Sequence, residues 1–322
     1  MNDSPSTDCP SVSIVVPVRN GSDVIQDCVA SLLGSSYPAQ RREIIVVDNG
    51  STDSTARIVR DLPVECLFEP RRGPSSARNR GIEASRGEVI AFVDADCVAT
   101  AGWLEELARP FADPNVWAVA GEIVSYPPRT SAQRYMARRK GRWQKPALES
   151  RWWPFAVTAN VAFRRCTFER VGLFDPALTR AQDKDFGRRY LDAGLRFEYA
   201  PRALVLHRHR ITAWGFFRQH VGWGYGAALL HAKYGLPWGA RAEIVKYGEL
   251  AVATRALARS GARCLGAHGD PADLQYHAYE VLRRVAHRVG AAKGLVRTLP
   301  VRLGWSYPFA PLTSKDEGKT SG

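Results

Sequence analysis

Four short apolar runs punctuate the first hundred residues, and the stretches between them carry helical periodicity. The runs are Val12–Val16, Glu43–Val47, Val64–Phe68 and Val89–Val93. Each is too short for a buried helix. Each reads as a strand covered on both faces, since strands of that kind stay apolar without alternating. Pro17 closes the first run, and Ser22 or Asp23 caps a helix with Val24, Ile25, Cys28, Val29, Leu32 and Leu33 on one face. The second run passes into the turn Asp48-Asn49-Gly50-Ser51-Thr52-Asp53, from which Asp53 or Ser54 starts the next helix. Gly73-Pro74 opens a third helix. Strand and helix alternating in this way require right-handed crossovers, hence an α/β chain with a parallel, doubly wound sheet. Such sheets receive their ligands at the carboxyl ends of the strands.

The fourth run ends in Asp94-Ala95-Asp96. Positions i and i+2 of a strand point to one side, so both carboxylates would face the crevice. Two carboxylates there can hold a hard divalent cation whose remaining ligands are phosphate oxygens. An isolated Asp-x-Asp describes an acidic loop equally well. The Asp48 turn, at the same edge of the sheet, favours a site.

Beyond residue 100 the pattern predicts a helix over Trp103–Phe111, a strand over Val116–Ala120 and an irregular, basic, aromatic-rich stretch at 122–154. A strand-like run Phe155–Phe163 follows. A short helix with a loop at 168–175, a helix Asp183–Ala193 ended by Gly194, and short strands Phe197–Tyr199 and Ala203–Leu206 come next. From Thr212 the pattern is helical, with segments near 213–234, 239–264 and 272–298. The net charge of +13 is uneven: residues 1–100 carry 10 Lys/Arg against 14 Asp/Glu, a net of −4, so the remainder carries +17. A basic half can meet phosphorylated ligands or an anionic membrane surface. Nucleic acid is disfavoured by the acidic first part and by the lack of any helix-turn-helix, finger or stacking module. The six cysteines form no CxxC pair, and Cys28 and Cys66 read as buried thiols, which suits a reducing compartment. No signal peptide and no membrane span is visible, so the expected location is cytoplasmic, with peripheral contact at the inner face of the membrane as a further expectation.

Six motifs in order resemble the family 2 glycosyltransferases. They are Ser13-Ile14-Val15-Val16-Pro17-Val18-Arg19-Asn20, Val46-Val47-Asp48-Asn49-Gly50-Ser51-Thr52-Asp53, Ala77-Arg78-Asn79-Arg80-Gly81, Phe92-Val93-Asp94-Ala95-Asp96, Ala159-Asn160-Val161-Ala162-Phe163-Arg164-Arg165 and Gln182-Asp183-Lys184-Asp185-Phe186. The resemblance covers about residues 11–210. It implies a GT-A fold, a nucleotide-diphosphate sugar as donor, a divalent metal (Mn2+ or Mg2+) and inversion at the anomeric carbon. By the family pattern Asp96 is the main metal ligand and Asp94 lies nearer the ribose. Asp48, Asn49 and Asp53 line the nucleoside pocket, with Pro17 and Arg19 at its edge. Arg78 holds the diphosphate or Asp94, or else forms a structural ion pair. Asp183 is the general base or a helix N-cap, and Asp185 a first-turn charge. His207 is a third metal ligand or a structural histidine.

The sequence departs from the family where Gln182 replaces the usual Glu and Asn49 an Asp that contacts uracil, which leaves uracil, guanine and thymine open. The Gln-x-x-Arg-Trp motif of processive synthases is missing, so a single-sugar transfer is expected, in cell-envelope, polysaccharide or glycolipid synthesis. The acceptor would be a hydroxyl on a glycan or lipid-linked molecule. Expected boundaries are a disordered 1–10, a glycosyltransferase domain at 11–211 (nucleotide-sugar half 11–121, acceptor half 122–211), a helical region at 212–310 and a disordered 311–322. The C-terminal helices either pack on that domain or lie on an anionic membrane. The alternatives are a sugar nucleotidyltransferase, which would need a longer glycine-rich, lysine-bearing loop after the first strand, and a non-catalytic glycosyltransferase-like membrane-surface protein.

Overall fold

The computed structural model describes residues 9–151, 153–235, 247–266 and 268–302. The ends expected to be disordered fall outside these residues except for Cys9 and Pro10, where the Tyr37 hydroxyl donates to the Pro10 carbonyl at 2.5 Å. The start of the expected helix at 239–264 also lies outside them.

The four apolar runs are four parallel strands: β1 (Val12–Val18), β2 (Arg42–Asp48), β3 (Glu65–Phe68) and β4 (Val89–Val93), in the order β3-β2-β1-β4. Their side chains separate onto two cores. Val12, Ile14, Val16, Val89 and Ala91 pack on one face with α1 (Ile25–Leu33), while Val15, Ile45, Val47, Ile90 and Phe92 pack on the other. This two-sided burial is why β1, β2 and β4 read as near-continuous apolar runs rather than alternating ones. After α2 (Thr55–Arg60), α3 (Pro74–Ala84) lies on the second face so closely that a Cβ at Gly81 would fall 2.3 Å from a Val15 methyl. No larger residue lets that helix rest on β1.

The chain after β4 extends the sheet. β5 (Cys97–Ala99), α4 (Trp103–Ala108), β6 (Ala118–Ser125), α5 (Ser131–Lys140), α6 (Gln144–Leu148), β7 (Asn160–Arg164), α7 (Cys166–Val171), α8 (Gln182–Asp192) and β8 (Phe197–His207) follow in order. The sheet reads β3-β2-β1-β4-β7-β6-β8-β5, with β7 antiparallel to β4 and β6, and β5 antiparallel to β8. It is therefore mixed beyond β4. Asn160 joins the added strands: it accepts from Trp103 Nε1 at 2.7 Å and donates to the carbonyls of Glu122 and Ala203, each at 2.8 Å.

Three expectations are corrected here. The stretch 122–154 is not irregular, since it holds α5 and α6. The two short strands after 197 are one, because pairing with β6 skips from Gly121–Ala200 to Glu122–Leu204 and passes over Pro201, which cannot donate to a ladder. Cys66 is partly rather than fully buried; Cys28 is buried as expected.

Three long helices complete the described chain: α9 (Ala213–Tyr234), α10 (Tyr247–Leu265) and α11 (Pro271–Arg302). α9 and α11 approach closely, since a Cβ at Gly224 would lie 2.1 Å from the His287 carbonyl and one at Gly290 would lie 2.0 Å from that of Val221. Phe216 and Leu229 are buried, and Trp223 and Leu282 pack against the sheet core. Tyr279 stacks on Tyr135 at 5.5 Å, and Arg139 pairs with Glu280 at 3.1 Å. Much of the apolar surface between α9 and α11 is thus spent on packing, while Val252, Leu265 and Val296 stay exposed.

Candidate active site

The carboxyl ends of β1, β2 and β4 open into a cleft of about 750 Å³. Pro17 and Arg19 border it from β1, Asn49 from β2, Arg72, Gly73, Pro74 and Arg78 from the entry to α3, and Asp94 and Asp96 from β4. Thr179, Arg180 and Gln182 face them from the approach to α8, and residues 208–212 close the rim after β8.

Arg78 is only 3% exposed, and its Nη2 donates to Asp94 Oδ1 at 2.7 Å. Its Nε and Nη1 are buried without a hydrogen-bond partner. A buried guanidinium with orphaned donors beside a cleft is suited to receive an anion. Its neighbour Asn79 both donates to and accepts from the Phe174 backbone, at 2.8 and 3.0 Å, and Ser75 donates to the Leu178 carbonyl. One helix thus sets the DxD partner and anchors the loop that leads to Asp183.

Asp96 Oδ1 is buried without a hydrogen-bond partner and lies 3.4 Å from His207 Nε2. Its Oδ2 lies 3.8 Å from Arg210. His207 packs against Trp143 at 4.8 Å, and its Nδ1 has no partner. Asp96, His207 and the Cys97 thiol bring one potential ligand atom each within 4.8 Å. Burial, reinforced by the charges of Asp96 and Asp94, pushes that thiol well above its ordinary value. The carboxylate suits either Mn2+ or Mg2+, and the imidazole nitrogen beside it favours Mn2+ of the two.

Asp183 is the second residue of α8, so it does not cap the helix. The N-cap is Ala181, which sits in the left-handed region at φ 60. α8 is fixed by Phe186, whose ring lies 4.7 Å from Phe174 and 5.1 Å from Phe163. Asp183 Oδ1 accepts from the Lys184 amide at 2.9 Å. Desolvation raises its carboxyl above the ordinary value, and Asp94 adds to the rise; Lys184 and Arg78 oppose it. Asp185 lies in the first turn of α8 as expected, but it is fully buried rather than on the helix surface. It bonds Arg189 at 3.1 Å, Lys233 at 2.6 Å and the Tyr234 hydroxyl at 2.7 Å. Removing one partner of such a pair leaves charge uncompensated. Asp185→Asn is expected to destabilise the fold by about 2–3 kcal/mol, seen as a lower urea midpoint. A midpoint equal to wild type would deny Asp185 this role.

The remaining expected site residues separate. Asp48, almost fully buried, accepts from the Ser51 amide at 3.2 Å; neither it nor Asp53 lines the cleft. Slight desolvation raises the Asp53 carboxyl, but hydrogen bonds from Thr55 and Ser22 outweigh it and bring it down to about 2. Asn49 borders the cleft, yet its amide is committed. It donates to the carbonyls of Glu69 and Arg71 at 3.0 and 2.8 Å and accepts from the Gly73 amide at 2.7 Å. Both its amide hydrogens are used, so none is left for a base edge. Asn49→Ala is therefore expected to cost about 2–4 kcal/mol by leaving three backbone groups unpaired, with nucleoside preference unchanged in binding titrations. A changed preference at wild-type stability would reverse this assignment.

Residues 13–172 match the family described as glycosyl transferase family 2. The chain is 34% identical over 209 residues to glycosyltransferase AglE of Haloferax volcanii, covering 62% of this chain and 68% of that one. The chain belongs to glycosyl transferase family 2. It is also 32% identical over 232 residues to the pre-mycofactocin glycosyltransferase of Mycobacterium tuberculosis, covering 69% of this chain but 48% of the relative, so it spans about half of that protein's length. Among solved structures, the mannosyltransferase PcManGT of Pyrobaculum calidifontis, in complex with GDP-Man and Mn2+, superposes with a TM-score of 0.57 at 22% identity, over 89% of this chain and 87% of that one. At that identity the likeness speaks for the fold, and the fold is the GT-A fold expected from the sequence motifs.

Sequence reasoning missed the cationic far wall. Arg180, Arg208 and Arg210 all line the cleft, and no motif marks them. Arg208 was legible only as part of a basic run; it reaches back to Asp27 of α1 at 2.5 Å and ties the end of β8 to the first core.

Proposed function

We propose that this chain transfers one sugar from a nucleoside-diphosphate sugar to an acceptor hydroxyl, with inversion at the anomeric carbon. The observation that carries the reading is the convergence of Arg78, Asp94 and Asp96 in one cleft; Asp183 is not itself a lining residue and directly follows Gln182, which is. The nucleoside lies along the ends of β1 and β2, against Pro17 and Arg19. Asp96, with His207 and Asp94 in support, holds a divalent cation, Mn2+ or Mg2+; when bound, that ion supplies charge neutralisation for the leaving diphosphate. Arg78 supplies two further donors to the same diphosphate. Asp183 takes the proton from the acceptor hydroxyl as its oxygen forms the new bond to the anomeric carbon, and the bond from that carbon to the diphosphate oxygen breaks. The raised carboxyl makes Asp183 a better base than an exposed aspartate, provided the pH stays above its own value.

Residues 11–121 form the nucleotide-sugar half and 122–211 the acceptor half, against which α11 packs through Tyr279 and Glu280. The acceptor belongs to cell-envelope or glycan synthesis, on a lipid-linked molecule or a glycan at the inner face of the membrane. No helix among the described residues is long and apolar enough to cross a membrane. Trp214 and Ile211 are 65% and 59% exposed beside the cleft mouth, which suits an acceptor with an apolar part. The test is donor hydrolysis with Mn2+ over a panel of UDP-, GDP- and dTDP-sugars. Release of one nucleoside diphosphate above the uncatalysed rate supports the reading; no release from any donor, with folding intact, removes it.

A further inference from the structure

Three arginines gather on the acceptor side of the cleft with little to balance them. Arg180 and Arg210 line it, and residues 211, 212 and 215 bring the amino end of α9 to the same rim. The Arg180 side chain lies along α9 at the points where that helix has no side chain: a Cβ at Gly222 would fall 2.9 Å from Arg180 Nε, and one at Gly226 would fall 2.8 Å from Arg180 Cβ. Arg218 is one turn before Gly222, and residues four apart share a helix face. Arg218 therefore stands beside the Arg180 guanidinium. Arg210 has only the outlying contact to Asp96 at 3.8 Å, while Arg180 and Arg218 have no acidic partner among the described residues. Partial desolvation, and then the positive charges of Arg210 and Arg218, push Arg180 below its ordinary value, though the residue as a whole stays exposed at the cleft rim. Like charges held together beside a helix amino terminus, itself partly positive, gain stability only when an anion joins them.

Arg210 leans toward Asp96 at the donor end, whereas Arg180 and Arg218 make no contact there, so the anion they call for is one other than the donor diphosphate. The donor end has its own cation in Arg78, on the opposite wall beside Asp94. Arg180 precedes Asp183 by three residues and belongs, with α9, to the elements that bound the acceptor. Resting on the glycosyltransferase reading above, we propose that Arg180, Arg210 and Arg218 form a subsite for an anionic group, in first place a phosphate, carried by the acceptor. It seats the acceptor so that its hydroxyl meets Asp183. The phosphate could be a lipid headgroup or part of a soluble phosphorylated acceptor; the recognition chemistry is the same.

The test uses the full chain saturated with Mn2+ and whichever nucleoside diphosphate it binds. Phenyl phosphate is titrated calorimetrically, and in a second arm the chain is sedimented with phosphatidylcholine vesicles with and without phosphatidic acid. The expected result is that phenyl phosphate binds on top of the nucleotide. Arg180→Gln and Arg218→Gln should each weaken it about tenfold, the loss of one charge-assisted contact, and Arg180→Lys should restore most of it. Nucleotide affinity should stay within about twofold of wild type. Arg218 is exposed, so its variant does not threaten folding. Sedimentation that depends on phosphatidic acid and on Arg218 assigns the phosphate to a lipid. Phosphate binding without such sedimentation assigns it to a soluble acceptor, and both uphold the subsite. Competition between phenyl phosphate and nucleotide, or loss of nucleotide affinity in Arg180→Gln equal to the loss of phosphate affinity, would overturn it in favour of a donor clamp. If no nucleoside diphosphate binds, the transferase reading fails, while phosphate titration of the free chain still reports on the arginines.

Discussion

Asp183→Asn is expected to lower sugar transfer about 10³-fold while nucleotide binding stays within about twofold of wild type. The substitution keeps size and shape, and the amide oxygen can still accept from the Lys184 backbone, so folding should be unchanged. What is lost is the only group at that position able to take a proton, a difference of about 4 kcal/mol in the transition state. The pH profile gives a second reading of the same residue. The Asp183 carboxyl is raised above its ordinary value of 3.8 by desolvation. A base works only when ionised, so wild-type kcat/KM should fall as pH drops through that raised value, and the acid limb should sit above that of a free aspartate. The limb should vanish in the residual activity of Asp183→Asn. A variant that keeps wild-type kcat, or keeps the same acid limb, would move the base elsewhere.

Asp96→Ala is expected to cost at least about 10²-fold in transfer and to abolish the gain in nucleotide affinity that Mn2+ gives, read by calorimetry with and without the ion. Asp96 is a cleaner probe than Asp94. Removing Asp94 would strand the guanidinium of Arg78, which is 3% exposed and has no other partner for its buried donors. That alone should cost about 3 kcal/mol of stability, so a loss of activity in Asp94→Ala would mix two causes. Asp96 has lesser ties, to His207 at 3.4 Å and to the half-exposed Arg210 at 3.8 Å. If Mn2+ strengthens nucleotide binding equally in wild type and Asp96→Ala, the cation is held by other residues.

The parallel half was legible because burial on two faces writes itself into sequence as unbroken apolar runs, as at Val89–Val93. The Asp94/Asp96 pair was legible because it ends such a run. α5 was missed because its outward face is rich in arginine and masks a short apolar stripe, Ala132, Tyr135 and Met136. Its start was nevertheless signalled by Thr130-x-x-Gln133, a capping box that the structure contains in full. β5 was missed because three residues carry no period. The Pro201 interruption of β8 could not be read as a bulge without knowing that Gly121 and Glu122 lie opposite it. Asn49 shows a different limit. Its residue type suits a base contact, and only the fold brings the loop 69–73 round to occupy its amide. The arginine wall was illegible for the same reason: Arg180 lies 42 positions before Gly222 and reaches α9 only because that helix has no side chain there.

The most direct measurement of the central claim is the anomeric configuration of the sugar first released when the chain hydrolyses its donor, followed by proton NMR before mutarotation. A single displacement, with a carboxylate base acting from the face opposite the leaving diphosphate, predicts inversion. An α-linked donor would then release the β-sugar first. Release with retained configuration would contradict the role given to Asp183 and the account of the cleft built on it.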